Sequence, residues 1–196
     1  MKHWILLAAF TAASCGTQSD DASPSDSSQT QDVAVDSMAK ADNAASTDMA
    51  KIDNDAATRR EAYTVCAACH LPTGQGIPGA FPPIRNRARE MALLDGGREY
   101  LIGSVTFGLM GQINAGGQTY FGVMAGQNST LDSQAIANAL NHVVLDLVDD
   151  GGASPVNPFT AVEVDGVKGQ WGSAGPNKAG ELRGQLLETH GDDWPQ

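Results

Sequence analysis

Positive charge is scarce in this chain: 12 Lys and Arg stand against 23 Asp and Glu, a formal net charge of -11 over 196 residues. Contact with a phosphate backbone draws on clustered Lys and Arg, so the balance argues against nucleic acid as a partner. Cysteine is scarcer still. Cys15, Cys66 and Cys69 are an odd number in two separate contexts, which does not suggest a disulfide framework. No second Cys pair exists to complete the four-ligand set of a structural zinc site. Aromatic residues make up 6% of the chain. The apolar run Ile5 to Phe10 is too short for a permanent membrane helix, which takes about 20 residues. Strand-like alternation is not evident, and the reading is an all-α fold with long loops. The length suits one ordinary domain with appendages.

What is present divides the chain into four parts. Residues 1–14 read as a signal peptide: a positive start in Met1-Lys2-His3-Trp4, a short apolar stretch, then small residues. The segment Ala12-Ala13-Ser14-Cys15 resembles the lipobox of bacterial lipoproteins, with Ala12 where Leu is usual. That resemblance implies that Cys15 becomes the acylated first residue of the mature chain, in the bacterial periplasm and anchored to a membrane. Gly16 after it is similar to lipoproteins sorted to the outer membrane. Stable anchoring needs more than one acyl chain.

Residues 15–53 form an acidic linker without aromatic rings. Between residues 16 and 58 there are nine Asp and two Lys, so this stretch holds most of the net charge. It cannot bury enough apolar surface to offset its chain entropy, and it is expected to be a disordered tether. About 40 residues span roughly 35 Å, more if self-repelling.

The folded core is placed at 54–150. A first helix is expected from Ala56 to Cys66, capped by Asp53, Asn54 or Asp55. Loop follows over Pro72 to Pro83, dense in Gly and Pro. A further helix is expected from Arg98 to Phe107, behind Asp95-Gly96-Gly97. The clearest helix runs from Ser133 to Val148, with Ile136, Leu140, Val143 and Leu147 at helical spacing and Asp132 as its cap. Residues 151–196 read as a C-terminal extension lying on the core. It holds a capping box in Thr160 and Glu163 and a second helix over Ala179 to Glu188.

The chemistry-bearing segment is Cys66-Ala67-Ala68-Cys69-His70. Two cysteines at i and i+3 can each form a thioether with one vinyl group of a haem, and the adjacent His then lies under the ring within reach of iron. A thiol redox site would ask for a βαβ setting, and the surrounding pattern is helical. Beyond the motif the candidates for the second axial position are Met91, Met110, Met124, His142 and His190. Met91 lies in a charged segment suited to the surface, Met110 suits the core, His142 suits helix packing, and His190 falls in a polar tail.

From about Ala56 to Val148 the chain resembles the class I c-type cytochromes. Gln118-Thr119-Tyr120-Phe121-Gly122-Val123-Met124, followed by Leu131-Asp132 and an amphipathic helix, is similar to that family's sixth-ligand loop and last helix. Ala125 stands where the family usually has Pro. The resemblance implies three to four helices around one covalently bound haem c, with His70 and Met124 as iron ligands. It further implies that the Pro82 carbonyl accepts a hydrogen bond from His70, that Ile84 presses on the haem, and that Tyr120 donates to a haem propionate. Arg85 or Arg87 would offset propionate charge.

A saturated iron leaves one-electron transfer as the chemistry, with a redox donor and a redox acceptor as partners. The arrangement is most similar to small monohaem cytochromes that serve quinoprotein dehydrogenases or haem-copper oxidases. The expected role is therefore a tethered electron carrier, not an enzyme. The alternatives are a haem enzyme or gas sensor with an open sixth position, and a fixed subunit of an oxidoreductase complex.

Overall fold

The computed structural model describes residues 55–149 and 156–195, all within one compact unit, Ala39–Gln196. The signal peptide, Cys15 and the linker over 15–53 lie outside the described residues, as does the Gly151-Gly152 break.

Helix α1 spans Ala56–His70. Asp55 starts it, its Oδ1 accepting from the amides of Ala57 at 2.7 Å and Thr58 at 2.9 Å. The helix runs one turn past the expected end at Cys66, so the whole Cys-Ala-Ala-Cys-His segment is helical. It stops at Leu71, a residue with φ +65. Side chains other than glycine hold that conformation at a cost of about 1–3 kcal/mol; here the Tyr63 hydroxyl donates to the Leu71 carbonyl at 2.9 Å.

A short helix α2, Arg87–Leu93, lies between the expected loop over Pro72 to Pro83 and the helix expected from Arg98, where no element was expected. Its charged residues, Arg87, Arg89 and Glu90, mask a helical stripe of Ala88, Met91 and Ala92, all buried. Met91, expected at the surface, is 2% exposed. Helix α3 is Gly97–Phe107, beginning where the Gly-Gly break predicts.

The all-α expectation is corrected by two strands, β1 over Gly108–Ala115 and β2 over Gln118–Ala125. They pair antiparallel, with Leu109 opposite Met124 and Ile113 opposite Tyr120. The turn is Gly116-Gly117, both at positive φ (58 and 74), the backbone that a two-residue hairpin of matching twist requires. The inward side chains recur every four residues, a spacing compatible with a helix as well as a strand, and glycines 108, 111 and 122 thin out the alternation.

Helix α4, Ser133–Asn141, starts at Asp132, whose Oδ1 accepts from Ala135 N at 2.8 Å. It does not continue as an α-helix to Val148. From His142 to Asp146 it widens into a π turn, where Arg59 grips Asp146 through Nε at 2.9 Å and Nη2 at 2.6 Å. His142 Nδ1 lies 2.9 Å from the same carboxylate, and its ring packs against Tyr63. This is the packing histidine that the sequence suggests.

The C-terminal residues add helix α5, Ala161–Trp171, helix α6, Pro176–His190, and a 3-10 turn at Gly191–Asp193. Half of the expected capping box forms: Thr160 Oγ1 accepts from Glu163 N at 3.2 Å. The Glu163 carboxylate turns away to Arg98, at 2.6 Å to both Nε and Nη2. The segment shares the core of the rest. Trp171 stacks on Phe107 and its indole N–H donates to Glu99 at 2.7 Å. Trp194 meets Tyr100 edge-on. His190, expected in an exposed tail, stacks on Trp194 and donates from Nε2 to the Asp95 carbonyl at 2.9 Å. Among the described residues no helix is long and apolar enough to cross a membrane.

A Cβ at Gly103 would sit 2.1 Å from Trp171 Cη2. Gly103→Ala is therefore expected to cost about 1–3 kcal/mol by overpacking, and little in a Trp171→Ala background. Denaturant melts of the four proteins check the coupling; additive costs would refute the contact.

At Asp146, burial pushes the carboxyl up, but the hydrogen bonds from Arg59 and His142 overcome this and hold it below the usual carboxylate range. A lowered folded-state value gives stability that is present above the unfolded value and lost as pH falls through the folded one. Asp146→Asn should thus destabilise at neutral pH, with the difference from wild type vanishing by about pH 2 in paired urea melts.

Candidate functional site

A cavity of about 500 Å³ occupies the middle of the fold. Helices, a loop and the hairpin wall it. The last turn of α1 contributes Cys66, Cys69 and His70, and the following loop contributes Phe81, Pro82 and Ile84. The hairpin contributes Leu109, Ile113, Tyr120 and Met124, and α2 to α4 supply Met91, Tyr100, Leu101 and Leu140. The i, i+3, i+4 spacing of Cys66, Cys69 and His70 places all three on one side of α1.

His70 is 8% exposed. Its Nδ1 donates to the Pro82 carbonyl at 2.9 Å, which leaves Nε2 as the nitrogen without a proton. Burial moves its pKa below the ordinary histidine value, with the Pro82 bond opposing. The ring is therefore neutral, as a metal-ligating imidazole must be. The Pro82 loop reaches it through close approaches. Gly76, at φ +66, would clash with the Phe81 carbonyl at 2.3 Å if it carried a Cβ, and the amide of Gly76 donates to His70 O at 3.0 Å.

Cys66 and Cys69 are free thiols. Burial pushes the Cys66 thiol up to about 11. Redox-active and zinc-binding cysteines are lowered, so this environment disfavours both of those readings. Nor, among the described residues, do three or more His, Cys, Asp or Glu gather where they could hold a metal ion. Two thiols and a neutral imidazole facing an apolar cavity are instead a donor set that fits a porphyrin attached by thioether bonds.

The cavity brings together seven of the residues singled out from sequence: Cys66, Cys69, His70, Pro82, Ile84, Tyr120 and Met124. Tyr120 and Met124 reach it from strand β2, not from a loop. Of the two arginines, Arg87 lines the cavity and burial lowers its pKa to about 10. Arg85 pairs with Asp149 at the surface. Met110 points away, 44% exposed on the outer face of β1. Tyr100 and Ser104, which the sequence does not indicate, line the cavity, as does Met91, a candidate axial ligand that the sequence places at the surface. Met91 was hidden by its charged neighbours, and the other two by the absence of any local motif.

No family model matches the chain. Two curated relatives do. Cytochrome c-552 of Thermus thermophilus is 45% identical over 102 residues, covering 52% of this chain and 77% of that protein. A second cytochrome c-552, from a named strain of the same organism, is 45% identical over 102 residues, covering 52% and 68%. Likeness of that extent, over most of each relative's length, joins the thioether-competent cavity in a single conclusion: the chain belongs to the c-type cytochromes, electron carriers that hold haem c covalently.

Proposed function

We propose that this chain is a membrane-tethered shuttle, passing one electron at a time from a redox donor to a redox acceptor in the bacterial envelope. The observation that supports it most is the convergence of Cys66, Cys69 and His70 on one apolar cavity, with Nδ1 of the imidazole engaged by Pro82. Bound haem supplies an iron that accepts and releases a single electron. Cys66 and Cys69 hold it as thioethers, and His70 ligates iron through Nε2. The Pro82 carbonyl fixes the ring plane and raises the basicity of the ligating nitrogen. Met124, which lines the same cavity, would be the second iron ligand, and its thioether would favour the reduced state relative to a second imidazole. Ile84 packs on the ring, and Tyr120 donates to a propionate. Cys15 carries the lipid, and residues 15–53 let the domain over 54–150 move away from the membrane, the outer one by preference.

Met91 is a second methionine at the cavity wall, fully buried on α2, and competes with Met124 for the ligand role. Optical spectra separate them. Met124→Ala should abolish the methionine-sulfur-to-iron band of the oxidised protein and let the reduced protein bind CO, while Met91→Ala keeps the band. A wild type without the band that binds CO at neutral pH would overturn the carrier reading in favour of a haem enzyme or gas sensor.

Cys15→Ala should move the protein from the membrane fraction to the soluble periplasm with its spectrum unchanged. Retention on the membrane would refute lipid tethering, and co-purification with an enzyme after detergent extraction would mark a fixed subunit.

A further inference from the structure

Leu71, the residue after His70, stands at φ 65 and ψ 158, a backbone region that only glycine enters without strain. Its amide stays in the helix, donating to Ala67 O at 3.0 Å, so the reversal of the chain falls on this residue. Its carbonyl accepts twice. The Tyr63 hydroxyl donates to it at 2.9 Å, and the amide of Gly74 donates to it at 3.0 Å. The carbonyl of Gly74 accepts in turn from the amides of Ile84 at 2.8 Å and Arg85 at 3.0 Å. The bonds that begin at Tyr63 thus reach the segment that carries Pro82, whose carbonyl accepts from His70 Nδ1.

Tyr63 is itself held from behind. Its ring is 2% exposed and packs on that of His142, centroids 5.0 Å apart, and His142 is anchored by Asp146, which Arg59 grips from α1. Burial pushes the phenol's pKa up, so the hydroxyl keeps its proton and stays a donor at ordinary pH. Tyr63 does not line the cavity. Any influence it has there passes through His70 and the loop.

We propose that Tyr63 is a positioning residue for the proximal ligand: its hydroxyl holds Leu71 in the strained turn, and the turn holds the Pro82 carbonyl against the imidazole. The inference rests on the reading of His70 as an iron ligand and extends it by naming what fixes that ligand. A hydrogen bond from Nδ1 makes Nε2 the stronger donor, and a stronger donor favours the oxidised state, which carries one positive charge more at iron. Loosening the turn weakens the bond and favours the reduced state.

Tyr63→Phe removes one oxygen and keeps the ring on His142. In the haem-loaded full chain it is expected to shift the reduced-to-oxidised ratio at fixed electrode potential roughly threefold toward reduced, about 28 mV for one electron. Proton NMR of the reduced protein should show the His70 Nδ1–H exchanging with solvent several-fold faster than in wild type. A tyrosine that only packs would lower the melting midpoint and move neither. Leu71→Gly alone should leave the ratio near that of wild type, since glycine holds the turn without strain, and should remove most of the effect of Tyr63→Phe when the two are combined. An unchanged ratio or an unchanged exchange rate in Tyr63→Phe would overturn the proposal, as would a shift that persists in full in the Leu71→Gly background. Should Tyr63→Phe fail to fold, a crystal structure of the wild-type holoprotein decides: the expected result is Leu71 at positive φ with the Tyr63 hydroxyl within about 3.2 Å of its carbonyl. A hydroxyl turned to any other partner would overturn it. Wild-type protein recovered without covalent haem would refute the haem reading instead, a distinct result.

Discussion

The hydrogen bond from His70 Nδ1 to the Pro82 carbonyl ties the end of a helix to the loop that follows it. Pro82 can serve because Pro83 follows. The residue before a proline is held extended, away from helical conformations, so its carbonyl stays out of a helical ladder and is available to an imidazole. Reaching it requires the chain to turn sharply at Leu71 and to pass Gly76 against Phe81, both in conformations suited to glycine. The neutral tautomer of His70, the placement of Ile84 and the entry into α2 all follow from closing that loop.

How far the sequence could be read depends on how local each determinant is. The Cys66, Cys69 and His70 arrangement is decided within five residues, and helix periodicity carries it to one face without help from the rest of the fold. The Asp132 cap and the apolar stripe of α4 are equally local, as is Thr160 at the start of α5. The hairpin failed the same test for a chemical reason. Its inward residues Leu109, Ile113, Tyr120 and Met124 recur at a spacing that suits two kinds of structure, and the decisive signal, Gly116-Gly117, is a turn preference and not an apolar pattern. Met91 was misplaced because a seven-residue helix offers too little periodicity to outweigh Arg87, Arg89 and Glu90.

The C-terminal segment adds apolar packing at the periphery of the core. Phe159, Val164, Trp171 and Trp194 are all buried. Trp171 lies flat on Phe107 over the small surface of Gly103, and Arg98 covers Phe159 from 3.9 Å above its ring. These contacts make the segment part of one core with α3.

Charge is distributed to the same end. The two stretches that border the cavity, Leu71 to Ile84 and Gly108 to Leu131, contain no Asp, Glu, Lys, Arg or His, although the chain as a whole is strongly acidic. Excluding charge from these walls keeps the local dielectric low, and a low dielectric magnifies whatever charge does reach the cavity. That gives Arg87, which lines the cavity, leverage there. The acidic excess sits largely before residue 58, outside these two stretches. The groups that tune the site have therefore to be sought among the charges that reach its wall.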